Sequence, residues 1–177
     1  LDQLKDPLFI NPNGLITENW QYTGEKKVKN TCITVMTSHQ TERKGADIII
    51  EAARKLPNYI FYFAGLDKLG IDNVPENVIL LGKLTQDELR SHYSRTQFYL
   101  QLSNFEGFGV AICEAMLCRC VPIVSNVNFL PEISSSGLVL KHRNPEKLIK
   151  LLKSISNDSI GRMGDEACAK IKNDFSS

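Results

Sequence analysis

The sequence lacks an excess of charge of either sign. Its 177 residues include 21 lysines and arginines against 20 aspartates and glutamates, which gives a formal net charge of +1. A chain so balanced has no general attraction for polyanions, so we expect no nucleic-acid partner. Hydrophobic residues make up 42% of the chain and charged residues 23%, a composition typical of a folded globular domain and not of a disordered one.

Long apolar runs are also missing. The longest, Tyr59 to Leu66, is far shorter than the ~20 residues that a membrane-spanning helix needs. No basic stretch followed by an apolar one opens the chain, so no secretory leader is visible. The chain begins with Leu1 and not with methionine, and we interpret it as a fragment of a longer protein. These features predict a cytoplasmic location, with at most peripheral association with the inner face of the membrane through the missing part.

Cysteine pairs of the C-x-x-C type are absent. The five cysteines, an odd number, are Cys32, Cys113, Cys118, Cys120 and Cys168. Reduced, buried thiols are the expectation for such a set in a cytosolic protein. A zinc site built from Cys118, Cys120 and a distant histidine is an alternative, although the spacing does not match a standard zinc knuckle.

Short β-branched and aromatic runs alternate with amphipathic segments from residue 31 onward. We predict strands at 31–37, 59–64, 78–81, 98–102, 121–124 and 138–140, and helices at 44–56, 85–94, 109–118, 145–156 and 160–172. This alternation predicts an α/β fold, a Rossmann-like parallel sheet with helices on both faces. We assign residues 1–30 to an irregular segment leading in from an interdomain region, and 31–177 to the folded domain.

Two loops follow predicted strands and lie where ligands bind in open α/β sheets, beyond the carboxyl ends of the strands. Loop 103–109 contains Gly107 and Gly109 and leads directly into a helix. The first amides of that helix have no internal partner and favour an anion. The residues alone fit a phosphate site and a solvated glycine-rich turn equally well.

Glu114 lies in this otherwise apolar helix, where burying an unpartnered carboxylate is costly. It follows Val110 by one turn and leans towards the helix N-terminus, beside any group bound there. A ribose diol next to a diphosphate fits that position, because one carboxylate accepts from two hydroxyls. A surface glutamate or a salt bridge between helices is the alternative.

Loop 37–45 places cations opposite this candidate anion site. Lys44 lies at the start of a helix, where a positive charge opposes the helix dipole. The position suggests a local anionic ligand, although a solvated loop charge explains it equally well.

Six motifs occur together and in one order. They are Asn11–Gly14, Lys44–Asp47 with Ile50–Ala52, Val78–Gly82, Phe105–Gly109 through Glu114–Met116, Pro122–Val124, and Leu130–Glu132. With them the chain resembles the C-terminal, nucleotide-sugar-binding domain of retaining glycosyltransferases of family 4, which have GT-B architecture. The pair of glutamates Glu106 and Glu114, separated by seven residues, is the strongest element of the resemblance.

The resemblance implies a role for each matching position. Glu106 would lie near the donor sugar, Glu114 would bind the ribose hydroxyls, and Lys44 would bind the diphosphate and stabilise it as it leaves. Backbone amides would bind the sugar hydroxyls and the phosphate, and a second stretch of backbone would lie beside the nucleotide base. The amides are those of Gly107, Phe108, Gly109 and Val110, and the base would be bordered by Gly82 and Lys83. No metal cofactor is implied, since cations and helix amides neutralise the leaving group.

One departure from the family concerns the diphosphate. The family usually has Gly-Arg five residues before the lysine, and this chain has Ser38 and His39. A histidine cannot make the bidentate contact of an arginine. Arg43 is the candidate substitute, displaced along the loop.

The function implied by the resemblance is hexosyl transfer from a nucleoside-diphosphate sugar to a glycan or lipid-linked acceptor, as in polysaccharide or lipopolysaccharide synthesis. A separate N-terminal acceptor domain, absent from this chain, would complete the enzyme, so the fragment would bind the nucleotide sugar weakly and transfer little. A degenerate, non-catalytic nucleotide-binding or interaction domain is the alternative, favoured by His39. A nucleotide-sugar epimerase of the same architecture would not be expected to contain this series of motifs.

Overall fold

The structure is a computed structural model that describes residues 15–134 and 137–175. The motif at Asn11–Gly14 lies outside these residues. In the described part, the strands are β1 (Val28–Val35), β2 (Ile60–Ala64), β3 (Val78–Gly82), β4 (Thr96–Gln101), β5 (Val121–Ser125) and β6 (Leu138–Leu140). They form one sheet in the order β3-β2-β1-β4-β5-β6, and all neighbours are parallel.

Helices connect the strands and cover the sheet. They are α1 (Ala46–Lys55), α2 (Gln86–Arg95), α3 (Val110–Leu117), α4 (Leu130–Ile133), α5 (Pro145–Ser154) and α6 (Asn157–Phe175), with short 3-10 helices at Thr17–Trp20 and Ser38–Gln40. One core contains buried residues of α1 and α5, and the other contains buried residues of α3 and α6. The predicted parallel sheet with helices on both faces is therefore confirmed.

Local sequence signals account for several element boundaries. The Thr85 hydroxyl accepts from the Glu88 amide at 3.3 Å, while the Glu88 carboxylate accepts from the Thr85 amide at 2.8 Å. This capping box begins α2 as predicted. Asn144 caps α5 in the same way, accepting from the Glu146 amide at 2.8 Å ahead of Pro145.

The structure differs from the prediction mainly at the N-terminal side of the sheet. β1 begins at Val28, within the segment predicted to be irregular. Trp20 is buried, and its ring lies 5.7 Å from that of Tyr93 in α2. The end of the N-terminal segment therefore belongs to the packed domain. The short helices at Ser38–Gln40 and α4 were not predicted, because a single turn has no hydrophobic periodicity.

All five cysteines are free and buried, as expected. The Cys120 thiol contacts the carbonyl of Tyr93 at 3.1 Å, and the Cys118 thiol contacts that of Trp20 at 3.4 Å. Across the described residues, no three histidine, cysteine or acidic side chains are grouped so as to bind a metal ion. The same residues include no helix with the length and hydropathy to cross a bilayer.

Lys27 joins the carboxyl-terminal ends of α2 and α3. Its ammonium group donates to the carbonyls of Tyr93 at 2.8 Å and Cys118 at 2.9 Å. Both carbonyls lie at helix ends, where unpaired acceptors and the helix dipole favour a cation. Burial lowers the pKa of Lys27 from its usual value, so the charge lies in a partly desolvated position.

We expect Lys27→Met to destabilise the fold by about 2–4 kcal/mol, because it removes the cation that bridges the ends of two helices and takes a donor from the carbonyls of Tyr93 and Cys118. Urea unfolding followed by circular dichroism measures the change. The neighbouring exposed Lys26 provides the matched control, since Lys26→Met is expected to change the free energy of unfolding by less than about 0.5 kcal/mol. Equal effects of the two substitutions would contradict a bracing role for Lys27.

Candidate functional site

The two loops selected from the sequence meet in the structure. β1 and β4 are neighbours at the centre of the parallel sheet, so the loops that follow them leave the same edge side by side. The Asn104 amide donates to the Arg43 carbonyl at 2.9 Å, and the Arg43 guanidinium donates to the Phe105 carbonyl at 2.8 Å. One hydrogen-bonded surface therefore contains residues of both loops.

The N-terminus of α3 opens onto this surface. Gly109 precedes the helix in a left-handed conformation, with a φ of 79°, and no side chain caps the first turn. The amides at the start of α3, beginning with that of Val110, therefore have no side-chain acceptor. Gly107 is exposed, and Phe108 is half-buried beside it. This backbone arrangement suits an anion or a set of hydroxyls.

Lys44 lies across the end of β1. Its Nζ donates to the carbonyl of Val35 at 2.9 Å, which occupies one of three ammonium protons. Burial is the main cause of a lowered pKa for Lys44, with Arg43 acting in the same direction and Glu106 acting against it. Lys44 is therefore a fixed, half-buried cation with donor capacity left for a ligand.

Glu106 lies at the centre of the site. Its Oε2 accepts from the amide nitrogen of Gln101 at 2.6 Å and from the hydroxyl of Ser103 at 3.1 Å. The guanidinium of Arg43 is 3.7 Å from the same oxygen. Its Oε1 accepts from the Gly107 amide at 3.2 Å. Acceptance of so many donors holds the carboxylate in one place.

Glu114 is half-buried one turn into α3. Within the described residues, we find no hydrogen bond or ion pair to its carboxyl group. Burial raises the pKa of Glu114 to about 7. The negative charge of Glu114 in turn contributes to the raised pKa values of the buried phenols Tyr93 and Tyr99. An acceptor that is costly to bury and is not used within the fold is suited to a ligand.

Gly82 ends β3, and Lys83 follows it at the same edge of the sheet. Gly82 has a φ of 64°, and its carbonyl accepts from the Gly65 amide at 2.7 Å. This φ strains any residue with a side chain, and a Cβ at Gly82 would also displace the Asp67 carboxylate, whose oxygen would lie 2.6 Å away. Beside it is a cleft of about 370 Å³. Its lining residues are Thr37, Ser38, Gly65, Leu66, Asp67 and Lys68.

His39 and Arg43 of loop 37–45, both considered for the diphosphate, lie in different surroundings. His39 lies exposed on the short helix Ser38–Gln40. Arg43, which is displaced along the loop from the usual position of the arginine, contacts the Phe105 carbonyl and the Glu106 carboxylate. Sequence reasoning missed Gln101, because nothing in the sequence indicates which partner this polar residue at the end of β4 contacts. It also missed Asp67, because nothing in the sequence indicates that Asp67 and Gly82 are close.

Gly45 fixes the approach of the two loops. Its φ is 75°, and a Cβ there would lie 2.6 Å from the Leu102 carbonyl oxygen. We expect Gly45→Ala to cost about 3 kcal/mol or more, about 1–2 kcal/mol from the left-handed backbone and the rest from the collision. Gly24→Ala is the matched control, since Gly24 has a φ of 84° with nothing within 4 Å of a Cβ. Thermal unfolding of both variants separates the collision from the backbone strain, and equal losses would contradict the close approach.

The six-stranded parallel sheet has the strand order of Rossmann-like domains, in which ligands bind at the carboxyl edge. The chain belongs to the glycosyl transferases group 1 family, which residues 21–174 match.

A named relative supports this family assignment. The chain is 29% identical over 163 residues to the phosphatidylinositol N-acetylglucosaminyltransferase gpi3 subunit of Schizosaccharomyces pombe, a match that covers 84% of this chain and 36% of the relative. The chain therefore spans about a third of the length of that relative.

Solved structures share the fold. One is the C-terminal domain of the glycosyl transferase group 1 protein LpcC from Francisella tularensis, with a TM-score of 0.72, 17% identity, and coverage of 90% of this chain and 97% of that one. Another is HepE of Anabaena in complex with UDP-glucose, with a TM-score of 0.76, 16% identity, and coverage of 92% of this chain and 52% of that one.

Proposed function

We propose that this chain is the donor-binding domain of a retaining glycosyltransferase of family 4, and that it binds a nucleoside-diphosphate sugar at the carboxyl edge of its sheet. One observation carries the proposal. The loops after β1 and β4 place a fixed cation, Lys44, and a fixed carboxylate, Glu106, beside the uncapped N-terminus of α3. That combination suits a ligand with a diphosphate at one end and hydroxyls at the other.

Each group takes a part of the donor. The diphosphate lies between Lys44 and the first amides of α3, including that of Val110, and the ribose hydroxyls donate to Glu114. Glu106, with the amides of Gly107, Phe108 and Gly109, binds the sugar. The base lies beside the backbone of Gly82 and Lys83, next to the cleft lined by Asp67.

Transfer breaks the bond between the anomeric carbon and the leaving diphosphate oxygen. The acceptor hydroxyl oxygen bonds to the same face of that carbon, and its proton passes to the leaving phosphate. Lys44 and the helix amides stabilise the charge that develops on the diphosphate, without a metal ion. In the full-length protein an N-terminal domain binds a glycan or lipid-linked acceptor, in the cytoplasm and at the inner face of the membrane.

One observation favours the alternative of a non-catalytic nucleotide-binding domain. His39 is exposed, and Arg43 already donates to the Phe105 carbonyl. One terminal nitrogen of Arg43 is thus engaged within the fold, which leaves fewer of its donors for a bidentate contact with the diphosphate. Such a domain binds nucleotides but transfers no sugar in the full-length protein.

Calorimetric titration of this chain with UDP, GDP and ADP, in buffer containing EDTA, tests the proposed function. We expect one nucleotide to bind with a Kd between about 1 µM and 1 mM. Glu114→Ala and Lys44→Met should each abolish this binding, whereas the exposed controls Glu76→Ala and Lys153→Met should not change it. Absence of binding by all three nucleotides, or binding that survives both site substitutions, would contradict the proposal.

A further inference from the structure

Gln101 is one of several buried polar residues in the sheet, and its side chain contacts Glu106 of the candidate site. It ends β4, every residue of which is buried, and its own side chain is 2% exposed. A buried amide is costly unless its donors and its acceptor all find partners. Its hydrogen bonds therefore show what the residue does in this position.

The nitrogen and the oxygen of the Gln101 side-chain amide both belong to one hydrogen-bonded network. Its nitrogen donates to Oε2 of Glu106 at 2.6 Å and to the hydroxyl of Ser103 at 2.9 Å. Its oxygen accepts from the hydroxyl of Tyr99 at 2.9 Å. The Ser103 hydroxyl in turn donates to Oε2 of Glu106 at 3.1 Å. The hydrogen bonds of this network thus lead, from donor to acceptor, to the Glu106 carboxylate.

Tyr99 fixes which end of the amide faces Glu106. Its phenol is fully buried and donates to the amide oxygen, so the amide nitrogen is turned towards the carboxylate. The reverse orientation would place the amide oxygen against a carboxylate oxygen, with two acceptors and no proton between them.

The two oxygens of Glu106 consequently differ. Oε2 accepts from Gln101 and Ser103 and lies 3.7 Å from the guanidinium of Arg43. Among the described residues, Oε1 accepts only from the Gly107 amide, at 3.2 Å, in the loop that leads to the N-terminus of α3. A carboxylate oxygen has two lone-pair directions, so Oε1 retains one for a ligand.

We propose that Gln101 is a positioning residue: it holds Oε2 of Glu106 so that Oε1 stays available to a hydroxyl of the donor sugar, with Tyr99 setting the orientation of the Gln101 amide. This inference rests on the proposed function and assigns Gln101 to recognition of the sugar, not of the nucleotide. Loss of Gln101 therefore weakens the binding of nucleotide sugar and leaves the binding of free nucleotide unchanged.

The chain offers a matched control in the same strand. Gln97 is 4% exposed, and its amide oxygen accepts from the Asn30 amide at 2.7 Å, at the end of β4 away from the site. Gln97→Met and Gln101→Met remove the same groups from the same strand. A general loss of strand stability affects both variants, whereas an effect on the sugar is confined to Gln101.

The test compares Kd values for UDP and GDP with those for UDP-glucose, UDP-N-acetylglucosamine and GDP-mannose on this chain. For the nucleotide sugar that the wild type binds best, we expect Gln101→Met to weaken binding about tenfold and Tyr99→Phe about threefold, with the Kd of the free nucleotide changed less than about twofold. Gln97→Met should leave both values unchanged. In a Glu106→Ala background, Gln101→Met should have no further effect.

Two results separate the inference from the proposed function. If the wild type binds a nucleotide sugar and Gln101→Met weakens free nucleotide and nucleotide sugar equally, or weakens neither, the positioning role is overturned while the proposed function stands. The role is also overturned if Gln101→Met acts as strongly in the Glu106→Ala background. If the wild type binds none of these nucleotides or nucleotide sugars, the proposed function is overturned, and the inference with it.

Discussion

Replacing Glu106 with glutamine in the full-length protein is expected to lower the rate of sugar transfer by about a hundredfold to a thousandfold. Gln101 and Ser103 direct donors at the position of Oε2, so the oxygen of the new amide takes that position. The amide nitrogen then takes the position of Oε1, where it presents a donor to a sugar hydroxyl instead of an acceptor. The substitution reverses the polarity of one contact and keeps the shape of the side chain.

Initial rates of transfer measure this effect, together with the Kd of the free nucleotide. We expect the Kd to change less than about twofold, because Glu106 contacts the sugar and not the nucleotide in the proposed arrangement. Glu42→Gln, on the exposed side of the same pair of loops, is the control and should transfer at the wild-type rate. A Glu106→Gln enzyme within about twofold of the wild type would remove Glu106 from the reaction.

The same assay decides between the two candidate functions. A donor domain completed by its N-terminal half transfers sugar, and Glu106→Gln then abolishes most of that transfer. A non-catalytic domain with His39 in place of the usual arginine transfers none, whatever residue occupies position 106.

Glu114→Gln is expected to change binding and stability in opposite directions. The folded protein holds this carboxyl at a pKa of about 7, above its ordinary value of 4.5, because burial disfavours the charge. Between those two values the folded state binds a proton that the unfolded state has released. The contribution of Glu114 to stability is therefore present at low pH and is lost as the pH rises through about 7.

Glutamine has no charge to bury, so Glu114→Gln should stabilise the fold by about 1–2 kcal/mol near pH 8, a value discounted for the partial exposure of the side chain. The gain should shrink as the pH falls towards the ordinary value of 4.5. Urea unfolding at several pH values measures it. A gain that is independent of pH would contradict a raised pKa for Glu114.

The affinity for nucleotide should rise with pH, whereas the contribution of Glu114 to stability falls. Ribose hydroxyls donate best to the ionised carboxylate, so the affinity of the wild type rises with pH up to and through about 7. Glu114→Gln should bind more weakly than the wild type near pH 8, by about tenfold or more, and show a smaller rise of affinity with pH, since only the terminal phosphate of the nucleotide still titrates in this range. A wild-type affinity that does not vary between about pH 5.5 and 8.5 would show that Glu114 does not titrate on binding.

Much of the site was predictable because parallel strands place their following loops at one edge. The runs around Ile33 and Tyr99 are apolar enough to identify two strands, and the structure makes those strands neighbours. Glu114 was identified because burying a carboxylate in an apolar helix is costly unless a partner or a ligand compensates for it. Gln101 was not, because a single polar residue in a strand has no partner visible in the sequence, and its partner Glu106 is found only through the turn of loop 103–109.

Contacts between loops distant in sequence were also beyond prediction. Arg43 and Phe105 are joined by a hydrogen bond that depends on the backbone path of both loops. Asp67 and Gly82 come close where the loop after β2 passes the end of β3, the neighbouring strand in the sheet. The cleft beside them is lined by the loops after the paired strands β1 and β2, and no local pattern in the sequence encodes it.

The position of the bound ligand is the most direct test of the proposed site. An amide NMR titration of this chain with UDP, and then with UDP-glucose or the nucleotide sugar that binds best, locates it residue by residue. We expect UDP to shift the amides of 37–45, Val110 and the backbone near Gly82, and the sugar to shift Gly107 and Gly109 in addition. Shifts confined to the far side of the sheet, near Lys27 and the start of β1, would contradict the proposed site, as would shifts around α5.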